Sequence, residues 1–293
     1  MTTSVLTTNK ATSNSLVSKY PVLIFVLFVY ALTWPFFIFE VLATYDMLSF
    51  ELPMPVMILQ AFMPGLAAVI VTGMISGKAG IRALLGKLLI VRVGFRWYTF
   101  ALFAYAGISI TAILINNLYG PSPALPFLST RMPPFSGTVE MLLIILSQLI
   151  FSMIFNSEEI GWRGFALPRL QAKYSALTSS LILSIPWLLF HLPLFFKQGS
   201  SQADSSFISY GVGVVAMTVI YTWLYNNTRG SVLLVTLLHA SSNVWTQVFS
   251  INSAGPNQFL GWTMTVVSVL IAVVILAITG AENLSRTNTR IRE

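Results

Sequence analysis

The sequence predicts an all-α protein, a polytopic membrane helix bundle of about eight transmembrane helices with both termini in the cytoplasm. Three observations lead there. Hydrophobic residues make up 56% of the 293 and charged ones only 9%, where an ordinary soluble domain carries about 25% charged residues. The apolar residues gather in runs of about 18–25, the length that crosses roughly 30 Å of hydrocarbon at about 1.5 Å per residue. The cations, finally, fall 14 to one side of those runs and 2 to the other, a bias that sets orientation because cytoplasmic connections retain Lys and Arg.

Residues 1–20 are rich in Ser, Thr and Asn without a core pattern and read as a disordered cytoplasmic tail. The first apolar run, 21–43, is too long for a signal peptide and lacks an A-x-A cleavage site, so it reads as a retained helix. Further runs fall near 55–76, 97–118, 139–160, 176–196, 207–225, 231–250 and 257–279. This divides the chain into three helices within 21–138, a central core of four within 139–250, and a last helix with a cytoplasmic tail in 251–293. One side of the membrane collects Lys10, Lys19, Lys78, Arg82, Lys87, Arg92, Arg96, Arg163, Arg169, Lys173, Arg229, Arg286, Arg290 and Arg292; the other receives Arg131 and Lys197. The segment 77–94 mixes Leu and Ile with Arg and Lys and reads equally as a surface-lying stretch or an ordinary positive connection. The net charge of +7 is explained by orientation rather than by nucleic acid, since no basic cluster alternates with aromatics on a polar surface. The Asn226 sequon lies on the cytoplasmic side and reads as a turn, and Gly73 with Gly77 reads as a tight-packing motif.

The polar residues inside the runs carry the chemistry. The stretch "FNSEEIGWRGFALPRL" places Glu158, Glu159 and Arg163 at the end of a membrane run, where each charge costs roughly 2.5–3.5 kcal/mol on insertion scales. Glu159 and Arg163 are i and i+4 and share a helix face, while Glu158 is rotated by about 100° and needs a partner from elsewhere. The two histidines, His191 and His239, both fall inside membrane runs, paired at i, i+4 with Trp187 and Asn243 respectively. An Asn beside a His in a dry site supplies N–H donors that suit a developing oxyanion. Counted along straight helices, Glu159 and His239 lie roughly 15–20 Å from the cytoplasmic surface and His191 near 27 Å. Pro186 and Pro193 are the residues that could shorten that path by kinking.

These residues resemble a known family. "EEIGWRG" at 158–164 is similar to the EExxxR motif, "WLLFH" at 187–191 to the aromatic-xxx-His motif, and "HASSN" at 239–243 to the HxxxN motif of the CAAX prenyl endopeptidases. That family also holds bacteriocin-processing and bacteriocin-immunity membrane proteins. The resemblance covers roughly residues 140–250, together with a Pro-Gly in the second run, "AFMPGLAAVI"; Trp187 stands where the family's eukaryotic enzymes more often have Phe. It implies hydrolysis of a peptide bond in a membrane-associated peptide or protein, prenylated or leader-bearing, by a multi-pass protein of the plasma membrane whose site opens toward the cytoplasm. It implies Glu158 as the base that activates water, His191 as its assistant, His239 and Asn243 as oxyanion donors, and Glu159, Arg163 and Trp187 as support. A different class, a non-catalytic immunity or partner-binding factor or a small transporter, would use the same polar centre for binding.

With no cysteine in the chain, thiolate metal sites, disulfides and cysteine nucleophiles are excluded. Two His and two carboxylates could hold zinc, in which case Glu158, His191 and His239 would be the ligands. No H-E-x-x-H is present, and Asn is an unusual zinc ligand but a good oxyanion donor, so the expectation is a site without metal or other cofactor.

Overall fold

The computed structural model describes residues 15–50, 52–120, 138–249, 258–287 and 289–292. Lys10, Arg131 and most of the expected N-terminal tail lie outside them. Among the described residues every regular element is helical: α1 (Leu16–Lys19), α2 (Pro21–Thr44), α3 (Met54–Leu59), α4 (Met63–Gly86), α5 (Phe95–Tyr119), α6 (Thr138–Ile154), α7 (Leu167–Gln171), α8 (Ala176–Phe190), α9 (Phe207–Asn227), α10 (Val232–Val248) and α11 (Gln258–Thr279). Short 3₁₀ turns follow α3, α4 and α8, and a π-helical turn, Ile160–Ala166, precedes α7.

Each of the eight apolar runs holds one long helix, but they are not equal in length. By length and composition α2, α3 with α4, α5, α9 and α11 can cross a membrane. The remaining three, α6, α8 and α10, have 17, 15 and 17 residues, or about 26, 22 and 26 Å. These short helices are the ones that end before Glu158, end at His191 and contain His239. Two of them stop earlier than the sequence suggests. After Ile154 the chain leaves the helix, and Glu158 N donates to Asn156 Oδ1 at 3.1 Å in a local turn that competes with helix. At His191 the backbone tightens into the 3₁₀ turn Leu192–Phe196, where Pro193 has no N–H to continue an α-helix.

The bundle core is built by α10 packing on α5, α6 and α9, by α11 on α5 and α9, by α8 on α9, and by α2 and the π-turn on α4. Without water, hydroxyls in such a core must bond internally. Thr218 Oγ1 accordingly donates to Val214 O at 2.7 Å, and Ser180 Oγ bonds both Ala176 O and Thr222 Oγ1 at 2.8 Å. Leu23, Leu114, Leu142, Leu146, Val274 and Ile278 are exposed and form part of an apolar outer surface suited to lipid.

Among the described residues, the end of the bundle that bears most cations is closely packed. The π-turn from Gly161 to Ala166 is buried, and so are Leu167, Pro168, Leu170 and Gln171 of α7. The chain after α11 folds back over them: Leu284 is fully buried, Arg290 Nε donates to Gln171 O at 3.0 Å, and Asn226 Nδ2 donates to Asn283 O at 2.8 Å. Asn226 lies in the last turn of α9 and not in a connecting turn as expected, and it is a buried bracket for this tail. Gly77, by contrast, does not pack tightly. It is exposed, its φ of 59° kinks α4, and an added Cβ would meet nothing within 4 Å, whereas a Cβ on Gly73 would lie 3.2 Å from Ile81 Cδ1, so Gly77 is a bend and the close approach is at Gly73.

Candidate active site

Four helical segments bring the polar residues to one place. The first approach is between α4 and the break before Glu158. Ser157 Oγ accepts from Gly65 N at 2.9 Å and donates to Ala61 O at 2.8 Å, while Ser157 N donates to the same carbonyl at 3.2 Å. A Cβ on Gly65 would lie 2.7 Å from Ser157 Cβ. The Pro-Gly of the second apolar run is thus the surface on which the residue before Glu158 is seated.

Glu158 and Glu159 then part company. Glu158 is half-buried, and its Oε2 accepts from two indoles, Trp187 Nε1 at 2.8 Å and Trp162 Nε1 at 3.2 Å. Glu159 is fully buried and its Oε1 accepts from Arg163 Nη1 at 2.9 Å and from His239 Nδ1 at 2.8 Å. The guanidinium of Arg163 lies 4.2 Å from the ring centre of Trp187 and 4.6 Å from that of Tyr221, a dry cation–π sandwich. Glu159 therefore does more than pair within its own turn: it clasps a histidine 80 residues away.

The histidines flank Trp187. His191 packs 6.3 Å from the Trp187 ring and its Nδ1 lies 3.0 Å from Trp187 O; His239 packs 5.8 Å from the same ring. With both Nδ1 atoms engaged, each imidazole has Nε2 left for other partners. The carbonyls at the end of α8 are caught by α2, through Tyr30 Oη to Pro186 O at 2.8 Å and Trp34 Nε1 to Phe190 O at 3.2 Å. Asn243, one turn beyond His239, is exposed on the cavity wall.

Glu158, Trp187, His191, His239 and Asn243 all line one cavity of about 510 Å³. Arg163 and Glu159 lie behind that wall. Among the described residues no three His, Asp or Glu side chains converge closely enough to hold a metal ion. Sequence reasoning left out Trp162, Tyr221, Tyr105 and Ser157. Trp162 carried a usable signal, its i, i+4 spacing from Glu158; Tyr105 and Tyr221 reach the site from other helices and carried none.

The cavity lies toward the end of the bundle away from most of the cations. Its wall includes Gln60, Ser201, Gln202, Asp204, Ser205 and Gln258, which belong to the ends of α3, α8, α9 and α11 opposite the cation-rich connections. Counting residues along a helix measures depth, not which end of the bundle the cavity lies nearer. Here the cation-rich end is filled by the π-turn, α7 and the tail after α11.

Residues 137–245 match the family described as type II CAAX prenyl endopeptidase Rce1-like. A curated relative, CAAX prenyl protease 2 of Methanococcus maripaludis, is 34% identical over 100 residues. That match spans 32% of this chain and 37% of the relative's length.

Proposed function

We propose, since residues 137–245 make this chain a member of the CAAX prenyl endopeptidase and bacteriocin-processing family, that it is an intramembrane endopeptidase in which Glu158 activates water. The observation that carries this reading is the asymmetry of the two carboxylates. Glu159 is consumed by Arg163 and His239, whereas Glu158 faces a 510 Å³ cavity with both its bonds on Oε2. The indoles hold the carboxylate in place and leave Oε1 to accept a hydrogen bond from water.

The chemistry follows from that placement. Glu158 takes a proton from the water as its oxygen attacks the peptide carbonyl carbon, and the carbonyl π pair moves to oxygen. His239 Nε2 and Asn243 Nδ2 donate to that oxyanion, and His191 steadies the water or the protonated carboxyl. The intermediate collapses with cleavage of the C–N bond, and Glu158 returns the proton to the leaving amine. With Nδ1–H donated to Glu159, His239 donates from Nε2 as well only in the imidazolium form, for which Glu159 is the counter-charge. Two carboxylates, Arg163 and one imidazolium then sum to zero in a dry site, which limits the cost of burial.

Metal is not required in this reading. The substrate is a membrane-associated peptide or protein; the relative's printed name suggests a prenylated chain end as the first probe. The charge count supports a cell-membrane protein with its cation-rich end inward. The test is incubation of purified protein in detergent with farnesylated and unmodified peptide pools, with and without a chelator. Cleavage that survives chelation is expected. No cleavage of any pool, with peptide binding retained, would favour a binding factor.

A further inference from the structure

We infer that residues 78–96 lie along the membrane surface at the cation-rich end of the bundle and bind the headgroups of anionic phospholipids.

The path of the backbone is the first ground. Residues 54–76 rise about 34 Å at about 1.5 Å per residue, which already crosses roughly 30 Å of hydrocarbon. A straight continuation would leave the bilayer, but at Gly77, with φ 59° and ψ −156°, the chain bends sharply. A Cβ on Gly80 would lie 3.1 Å from Thr72 Cγ2, and one on Gly73 would lie 3.2 Å from Ile81 Cδ1. Eight residues of straight helix would hold those positions about 12 Å apart, so the stretch after the bend folds back across the end of the first. It is pinned there from within the bundle: Leu84 is buried, Lys87 Nζ donates to Gly164 O at 2.7 Å, and Ser231 Oγ donates to Ile90 O at 2.7 Å. The segment is thus surface-lying, one of the two arrangements its mixed composition allowed.

Its outward face has the chemistry of a lipid interface. Lys78, Arg82, Arg92 and Arg96 are exposed, and among the described residues none of them is in an ion pair. No Asp or Glu occurs anywhere from residue 52 to 139, so the segment brings no counter-charge of its own. Leu85, Leu89, Val91 and Phe95 stand between these cations and are also exposed, Leu89 to 78% and Phe95 to 85%. At a bilayer surface such apolar side chains enter the acyl boundary while Lys and Arg reach the phosphates. A zwitterionic headgroup carries its own cation and gains little from this face; a headgroup of net negative charge supplies what the segment lacks.

The cysteine-free chain makes a single reporter cysteine specific. The full-length protein with Leu89→Cys, carrying a fluorophore there, would be reconstituted in phosphatidylcholine vesicles that contain a small fraction of spin-labelled phosphatidylglycerol or, in parallel, of spin-labelled phosphatidylcholine. Quenching by the anionic lipid should exceed quenching by the zwitterionic one several-fold, and the difference should shrink as salt is raised. Replacing Lys78, Arg82 and Arg92 together by Gln should abolish it; Lys87, which bonds Gly164, and Arg96, which lies over the Trp97 ring, stay in place. Arg82→Lys with Arg92→Lys should preserve it, because the charge is kept. A fluorophore at Ser205→Cys, in the connection before α9, should show no such preference. Parity at position 89, a preference of equal size at position 205, one that survives the triple Gln substitution, or one lost equally in the Lys variant would overturn the inference. So would a preference erased by inorganic phosphate at constant ionic strength, which would mark a site for the free anion. The measurement needs no turnover.

Discussion

Side chains of consecutive helical residues point about 100° apart, and at Glu158 and Glu159 that rotation separates a carboxylate facing a cavity from one enclosed by protein. Replacing the enclosed one should be the more damaging to the fold. Glu159→Gln leaves Arg163 buried without its counter-charge, a loss of roughly 3–5 kcal/mol for a truly buried pair. Its melting temperature should fall, and neutralising Arg163 as well should restore part of it in a double-mutant cycle. Because His239 Nδ1 leans on the same oxygen, kcat should fall too, and neutralising Arg163 should not restore it. Recovery of kcat along with stability would show that Glu159 acts on Arg163 alone. Trp187→Phe keeps an aromatic face on Arg163 but removes the 2.8 Å indole bond to Glu158. Hydrogen bonds to charged groups are worth about 1.5–3 kcal/mol, so kcat/KM should drop by about 10- to 100-fold with little change in melting temperature; an unchanged kcat/KM would remove Trp187 from the site. The motif residues were legible in sequence because charge inside apolar runs is costly and so stands out. The clasp between Glu159 and His239 was not, since nothing in either helix's pattern reports a contact 80 residues away.

At the scale of elements, the seating of the Glu158 turn on α4 makes Gly65 an exacting position. A Cβ there meets Ser157 at 2.7 Å, whereas Gly107 on α5 has nothing within 4 Å. Gly65→Ala should cost about 1–3 kcal/mol through overpacking and displace the base. Gly107→Ala should be neutral or raise stability by up to about 1 kcal/mol from helix propensity. Thermal unfolding in detergent compares them, and equal behaviour would mean that α4 does not seat the site. Helix starts were readable, since Ser175, Ser206 and Ser231 cap α8, α9 and α10. Helix ends at the site were not. Apolar composition continues through 192–196, where the backbone leaves the α-helix at His191, and at 155–157 only Asn156 and Ser157 mark the break that places Glu158.

At the scale of the molecule, eight apolar runs gave the class of fold, and the one-sided cation count predicts its orientation. A cytoplasm-active reporter fused at the C-terminus should therefore give signal, and one inserted after Gly199 should not; the reverse would invert the bundle. Which end holds the cavity was out of reach of that reading. It depends on the tail after α11 folding onto Gln171 and Asn226, a long-range contact between polar residues that a count of cations passes over.

Activation of water by Glu158 meets its sharpest trial in Glu158→Gln, which keeps the side chain's size and its bonds to the indoles while removing the base. Assayed on whichever peptide the unaltered protein cleaves, with a chelator present throughout, the variant should lose at least the ~10²- to 10⁴-fold attributed to general-base catalysis while its melting temperature hardly moves. Near-normal hydrolysis by a folded Glu158→Gln protein, or activity in the unaltered protein that disappears with a stoichiometric metal ion, would refute that assignment.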